Sequence, residues 1–206
     1  MLLNSYTIKP ITTNFPDDVL KAFDSTKSGL FGATYSLVAY LGNQKINNYT
    51  NYAFIAEQVP SVKNPSKNIV LYIVTKALDK SNKETYMLRD VTTLISGKDN
   101  VLGGIKVNPV VSNIPSNALE VFNRHFSFFL GAKNVAIALL ATQVVNGAAY
   151  YFLTQSDVVA KGFNGINNTG VSTTDSLVDI QIIKLYSNFP DIESQTVLSG
   201  RKDNSL

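Results

Sequence analysis

The feature that most constrains this 206-residue chain is an internal repeat with a period of about a hundred residues. Residues 23–44, FDSTKSGLFGATYSLVAYLGNQ, align without a gap with residues 122–143, FNRHFSFFLGAKNVAIALLATQ. The identities include Phe23/Phe122, Gly32/Gly131, Ala33/Ala132, Ala39/Ala138, Leu41/Leu140 and Gln44/Gln143, followed after one extra residue in the first copy by Tyr52/Tyr150 and Phe54/Phe152. This period is too long for a solenoid and indicates that a small domain has been duplicated.

Each copy has the same order of predicted elements. A helix is expected after Pro16 and after Pro115, because proline suits the first helical turn. Apolar residues at helical spacing follow each proline and give one face to bury: Val19, Leu20 and Phe23, then Leu119, Phe122 and Phe126. Four strand-like segments come next, at 33–44, 51–58, 68–77 and 84–94, and again at 132–143, 149–156, 177–186 and 191–199. The pattern predicts an α+β fold of two tandem domains, each one helix packed on a four-stranded antiparallel sheet.

The repeat also predicts the domain boundaries. We expect an N-terminal arm at 1–14, a first domain at 15–97, a linker at 98–113, a second domain at 114–200 and a tail at 201–206. Gly103-Gly104 and Pro109 mark the linker, which has room for a short strand at 105–107. The loop at 160–175 is long and rich in Gly, Asn and Thr, which is typical of a segment that moves or docks onto a partner.

A nearly continuous apolar stretch at 135–153 raises the question of a membrane span. Gln143, Asn146 and Gly147 fall in its middle, where a membrane helix needs apolar residues. Asn146-Gly147 is a strong turn signal, because both residues tolerate positive φ. The stretch is therefore interpreted as two strands joined by a hairpin turn.

The composition excludes several kinds of chemistry. With no cysteine, the chain has no disulfide, thiolate nucleophile or cysteine metal site. A net charge of +3 with scattered basic residues gives no strong nucleic-acid signal. The single histidine, His125, lies among phenylalanines on the second helix and is expected to pack. No phosphate-binding glycine loop, nucleophile elbow or metal-ligand spacing occurs, so we expect no enzymatic activity, cofactor or metal.

The N-terminus MLLNSYTIKP lacks the basic segment, apolar core and cleavage site of a signal peptide. We therefore expect cytosolic synthesis. The expected location is the virion if the protein is phage-encoded, and otherwise the cytoplasm.

Motifs in the second copy resemble those of the cystatins. Gln143-Val144-Val145-Asn146-Gly147 resembles the Gln-x-Val-x-Gly hairpin loop, and the aromatic strand Ala148-Ala149-Tyr150-Tyr151-Phe152 follows it as in that family. The segment NALEVF resembles the cystatin helix, Gly103-Gly104 the glycine trunk, and Phe189-Pro190 stands near the place of the Pro-Trp hairpin. The resemblance implies inhibition of papain-like cysteine proteases by a wedge. It implies partner-binding residues at Gln143, Val144, Val145, Asn146, Gly147, Phe189 and Pro190.

The chain also departs from the cystatin pattern. It has no tryptophan, and Asp191 stands where the second hairpin would carry one. The first copy has Lys45 and Asn48 in its loop with an inserted Tyr49, so it keeps the framework and loses the motif. An alternative interpretation is that Asn146-Gly147 only closes a hairpin whose valines pack on the sheet.

Three functions fit these observations. The duplicated scaffold and the charged content of 16% favour a structural subunit of a large homo-oligomer, expected to be a bacteriophage virion component such as a portal- or tail-associated ring. Its partners would be other copies of itself and neighbouring assembly proteins. The alternatives are a cystatin-type inhibitor acting through the second copy, and a small-ligand or peptide-binding module that uses the concave sheet face.

Overall fold

The computed structural model describes residues 5–99, 101–127, 132–158 and 177–203. These residues form two helices and ten strands. The helices are α1 (Asp17–Lys27) and α2 (Ser116–Phe126). The strands are β1 (Tyr6–Ile11), β2 (Ala33–Ile46), β3 (Tyr49–Pro60), β4 (Asn68–Leu78), β5 (Glu84–Ser96), β6 (Ile105–Val110), β7 (Ala132–Val144), β8 (Ala148–Val158), β9 (Leu177–Tyr186) and β10 (Ile192–Lys202). The loop at 160–175 lies outside the described residues.

Both predicted helix starts are confirmed. α1 begins directly after Pro16, whose carbonyl oxygen accepts the backbone N–H groups of Val19 at 3.1 Å and Leu20 at 3.0 Å. α2 begins in the same way after Pro115. Among the described residues, neither helix is long and apolar enough to cross a membrane.

The predicted fold class is wrong, because the strands form one mixed sheet and not two separate four-stranded sheets. The order is β5-β4-β3-β2-β1-β10-β9-β8-β7-β6. At its centre β1 and β10 pair in parallel, with Tyr6 opposite Gly200 and Ile8 opposite Lys202. Strand β1 comes from the segment expected to be an arm, and β6 comes from the segment expected to be a linker. Each copy therefore contributes five strands to a common sheet.

The two copies also have register shifts at equivalent positions of their strand pairing. The register between β2 and β3 shifts at Leu37/Ala39 and at Tyr40/Gly42, and the register between β7 and β8 shifts at Ala136/Ala138 and at Leu139/Ala141. These positions correspond in the sequence alignment of the two copies. Because a β-bulge bends a strand and increases its twist, both copies curve at the same places.

The sheet curves until its outer strands, β5 and β6, come close to each other. The backbone N–H of Lys98, just after β5, donates to the carbonyl oxygen of Ile105 at 2.8 Å. A Cβ atom on Gly97 would lie 3.3 Å from Cγ2 of Val107. We call the pairing of β1 with β10 the central seam. There, a Cβ on Gly200 would lie 3.0 Å from Cγ1 of Ile8. Ile8 and Val107 occupy equivalent positions in the two copies. The contact between β5 and β6 is therefore equivalent to the contact between β10 and β1.

The inner face of the curved sheet encloses one hydrophobic core that both copies share. Its members include Ile8, Leu41, Ile55, Ile69 and Ile95 from the first copy and Val107, Leu140, Leu153, Ile180 and Leu198 from the second. On the outer face, Phe23 of α1 packs against Phe54 and Tyr72. In the second copy, Phe122 of α2 packs against Phe152.

Burial on both faces of the strands explains why the fold class predicted from the sequence is wrong. In β3 every residue from Tyr52 to Ala56 is buried, which is typical of a strand that is covered on both sides. The helix covers only one of these sides. The other copy covers the second side, and periodicity within one copy does not reveal that partner.

Candidate functional site

Three loops of the second copy lie side by side at one end of the sheet. They are residues 101–104 before β6, residues 145–147 between β7 and β8, and residues 187–191 between β9 and β10. The amide Nε2 of Gln143 donates to the carbonyl oxygen of Gly103 at 2.8 Å. The amide Nδ2 of Asn188 donates to the carbonyl oxygen of Asn146 at 3.1 Å. These bonds bring the two predicted partner-binding segments, 143–147 and 189–190, together with the glycine pair.

The central hairpin lies where it was predicted, but its loop has three residues, 145–147, where the Asn-Gly pair predicts two, because Val144 pairs with Ala148. Asn146 and Gly147 have φ values of 49° and 120°, so both have the positive φ that the turn requires. A Cβ atom on Gly147 would lie 2.6 Å from Nδ2 of Asn188 and 2.9 Å from Oγ of Ser187. Gly147 therefore allows both the turn and the close approach of loop 187–191.

The side chain of Gln143 stabilises these loops from behind. Besides donating to Gly103, Gln143 accepts a hydrogen bond at its Oε1 from the hydroxyl of Tyr151 at 2.9 Å. The residue is half-buried. Both Nε2 and Oε1 of Gln143 are hydrogen-bonded within the chain, so the side chain stabilises the loops.

Five large apolar side chains on these loops or directly next to them are exposed, and we call this group the apolar end. Its members are Val101, Leu102, Val144, Val145 and Phe189. The relative exposure is 107% for Leu102 and 76% for Val144. Single exposed apolar residues are ordinary, whereas a group of them on adjacent loops is typical of a contact surface. Val101 and Leu102 were not among the partner-binding residues predicted from the sequence, although an apolar pair directly before Gly103-Gly104 could have indicated them.

The corresponding loops of the first copy are polar, although Tyr49 and Leu78 on the strands beside them are exposed. Its β2–β3 turn consists of Asn47 and Asn48, and Asn47 has a φ of 49°. In its β4–β5 loop, Oδ1 of Asp79 accepts hydrogen bonds from the backbone N–H groups of Ser81 at 2.8 Å and Lys83 at 2.9 Å. The shared scaffold therefore does not require apolar loops at this end.

The C-terminal turn of α2 holds loop 187–191 in place. Arg124 donates from Nη2 to the carbonyl oxygen of Ser187 at 2.6 Å. The ring of His125 lies between two carbonyl oxygens, with Nδ1 2.8 Å from Val121 O and Nε2 3.1 Å from Phe189 O. His125 is half-buried, and it positions the backbone next to the exposed ring of Phe189. A cavity of about 440 Å³ lies beside this contact.

Within the described residues, no group of three or more His, Asp or Glu side chains is arranged to hold a metal ion.

The chain matches no protein-family model, no curated protein and no solved structure. The cystatin resemblance and the phage origin therefore stay predictions that rest on the sequence.

Proposed function

We propose that this chain is a non-enzymatic interaction protein that binds other proteins through its apolar end. Its first partner is a further copy of itself, and the product is a large homo-oligomeric assembly such as a ring in a bacteriophage virion. The observation that carries the proposal is the exposure of five apolar side chains on or directly next to loops that hydrogen-bond to one another.

The energetics of the apolar end favour binding. Burying a Val, Leu or Phe side chain contributes about 1.5–3 kcal/mol, so several such side chains offset much of the entropy lost on association. The cross-braced loops lose little further freedom when they bind, because Gln143 and Asn188 already fix them. The first copy exposes fewer such side chains at this end, Tyr49 and Leu78, and both lie on strands and not on its loops.

Self-assembly is tested by sedimentation velocity and native mass spectrometry. We expect the wild-type chain to form a defined oligomer and Val144→Asp to shift it toward monomer, because the new charge would be buried without a partner. Asn48→Asp is the matched control, since it adds the same charge to the exposed hairpin of the first copy. A wild-type chain that stays monomeric at about 100 μM, where even weak assembly is visible, would contradict self-assembly.

A second candidate function is inhibition of a papain-like cysteine protease. The observation that favours it is that Gly103, loop 145–147 and loop 187–191 lie side by side, as the resemblance requires of a wedge. We expect papain to be inhibited in proportion to the chain added, and Gly147→Arg to abolish inhibition. Gly29→Arg is the control, because a Cβ at Gly29 meets no atom within 4 Å. Full papain activity at excess wild-type chain would remove this candidate and leave the first one standing.

A further inference from the structure

A cavity of about 410 Å³ opens where the end of β5 meets the second copy. We call it the corner cavity. Leu94, Ile105 and Ile182 supply its apolar lining, and all three pack in or against the shared core. Exposed residues at its mouth, Ser96 and Gln195, connect it to solvent. Its volume falls within the range of small-ligand sites.

The residue that begins the first strand of each copy differs between the two places where the copies meet. Ile105 is the first residue of β6, and Tyr6 is the first residue of β1. Tyr6 packs its ring against the shared core at the central seam, and this burial raises the pKa of its hydroxyl. Ile105 holds the same place beside the corner cavity but has no ring. An aromatic ring is therefore the group that this position accommodates in the other copy.

Polar and aromatic groups converge on the corner cavity. The ammonium of Lys184 lies 5.6 Å from the ring centroid of Tyr151 and donates to Oε1 of Glu193 at 3.2 Å. Tyr151 and Lys184 are partners in the β8–β9 register, and the partners at the corresponding place in the β3–β4 register are Ala53 and Ile73. The first copy thus builds the same scaffold from small and apolar residues. The Tyr151–Lys184 pair is therefore specific to this corner.

The charge at the corner cavity favours an anion. Lys184 and Glu193 form an ion pair and neutralise each other. Lys98 is exposed at the mouth, and no ion pair joins it to another of the described residues. The lining thus carries one excess positive charge next to the apolar wall and the Tyr151 ring.

We propose that the corner cavity binds a small aromatic anion, with its ring against Tyr151 and the apolar lining and its anionic group beside Lys98. This site is independent of the proposed function, because no side chain of the apolar end lines it. The aromatic ring of the bound anion gains apolar burial in the corner cavity, as the ring of Tyr6 does at the central seam.

The test uses the aromatic sulfonate 8-anilinonaphthalene-1-sulfonate and its uncharged analogue N-phenyl-1-naphthylamine, followed by fluorescence titration of the full chain. We expect saturable binding of one sulfonate per chain. Ile105→Tyr, which copies Tyr6 into the cavity, is expected to weaken binding of both probes at least about tenfold. Lys98→Glu is expected to weaken binding of the sulfonate by about tenfold and to leave binding of the uncharged analogue nearly unchanged.

Val144→Asp separates this site from the apolar end, and sulfonate binding to this variant is expected to equal that of the wild type. Unchanged sulfonate binding in both Ile105→Tyr and Lys98→Glu overturns the proposal, as does the absence of saturable binding. Lys98 is exposed, so its substitution decides the matter even if Ile105→Tyr fails to fold.

Discussion

At the scale of single residues, Glu84 shows how the first copy fastens its helix to its sheet. The Glu84 carboxylate accepts a hydrogen bond from Lys21 of α1 at 2.8 Å, and it also pairs with Lys76 of β4. The hydroxyl of Tyr86 donates to the same carboxylate at 2.9 Å. The hydrogen bond from Lys21 is the largest of the causes that lower the pKa of Glu84 to about 2.

The Glu84 network predicts a loss of stability in acid. The pKa of Glu84 is below its ordinary value of 4.5, so its contribution is present above that value and is lost as the pH falls toward 2. We expect Glu84→Gln to lower the urea midpoint slightly at pH 7 and to flatten its decline between pH 4.5 and pH 2. Solvent screening keeps the effect small, because Glu84 is close to the surface. Glu120→Gln, an exposed position on α2, is the control, and equal slopes in wild type and Glu84→Gln would refute the prediction.

At the scale of elements, the positions of the eight strands within the two predicted domains could be predicted, and the pairing that joins the two copies could not. The segment 177–186 is strand β9 as expected, and the Asn146-Gly147 hairpin is present, because apolar runs and turn residues are local signals. Strand β6 was expected only as a short strand at 105–107 within a linker, and β1 lies in the segment expected to be an arm. Each of these strands contains a proline, Pro10 or Pro109, and sheets confine proline to edges and bulges. Each proline lies at a register shift, where a ladder hydrogen bond is not required.

The seam between β1 and β10 can be tested at Gly200. A Cβ at this position would lie 2.2 Å from the carbonyl oxygen of Tyr6, which is backbone and cannot rotate away. We expect Gly200→Ala to lower the free energy of unfolding by about 1–3 kcal/mol, measured by urea denaturation. Gly29→Ala is the matched control, because no atom lies within 4 Å of its Cβ, and its effect is expected to stay within about 0.5 kcal/mol. Equal stability of the two variants would mean that the seam is not closed as described.

At the scale of the whole molecule, the two copies are joined by a common interior. The sequence showed the duplication. It did not show that the buried run Tyr52–Ala56 is covered on its second side by the other copy, since no pattern within one copy specifies a contact about a hundred residues away. The same reason explains the candidate sites. Loop 143–147 was visible as a motif, whereas the corner cavity depends on how β5 meets the inner face of β8 and β9.

One core stabilises both copies, and this is tested by hydrogen–deuterium exchange of the wild type and of Leu140→Ala in increasing urea. Leu140 belongs to the second copy and is fully buried in the shared core, so its truncation is expected to cost about 3–5 kcal/mol. We predict that peptides from β3 and β8 lose protection at the same urea concentration, and that the substitution lowers this concentration equally for both. A drop confined to β8, with β3 unchanged, would contradict the account.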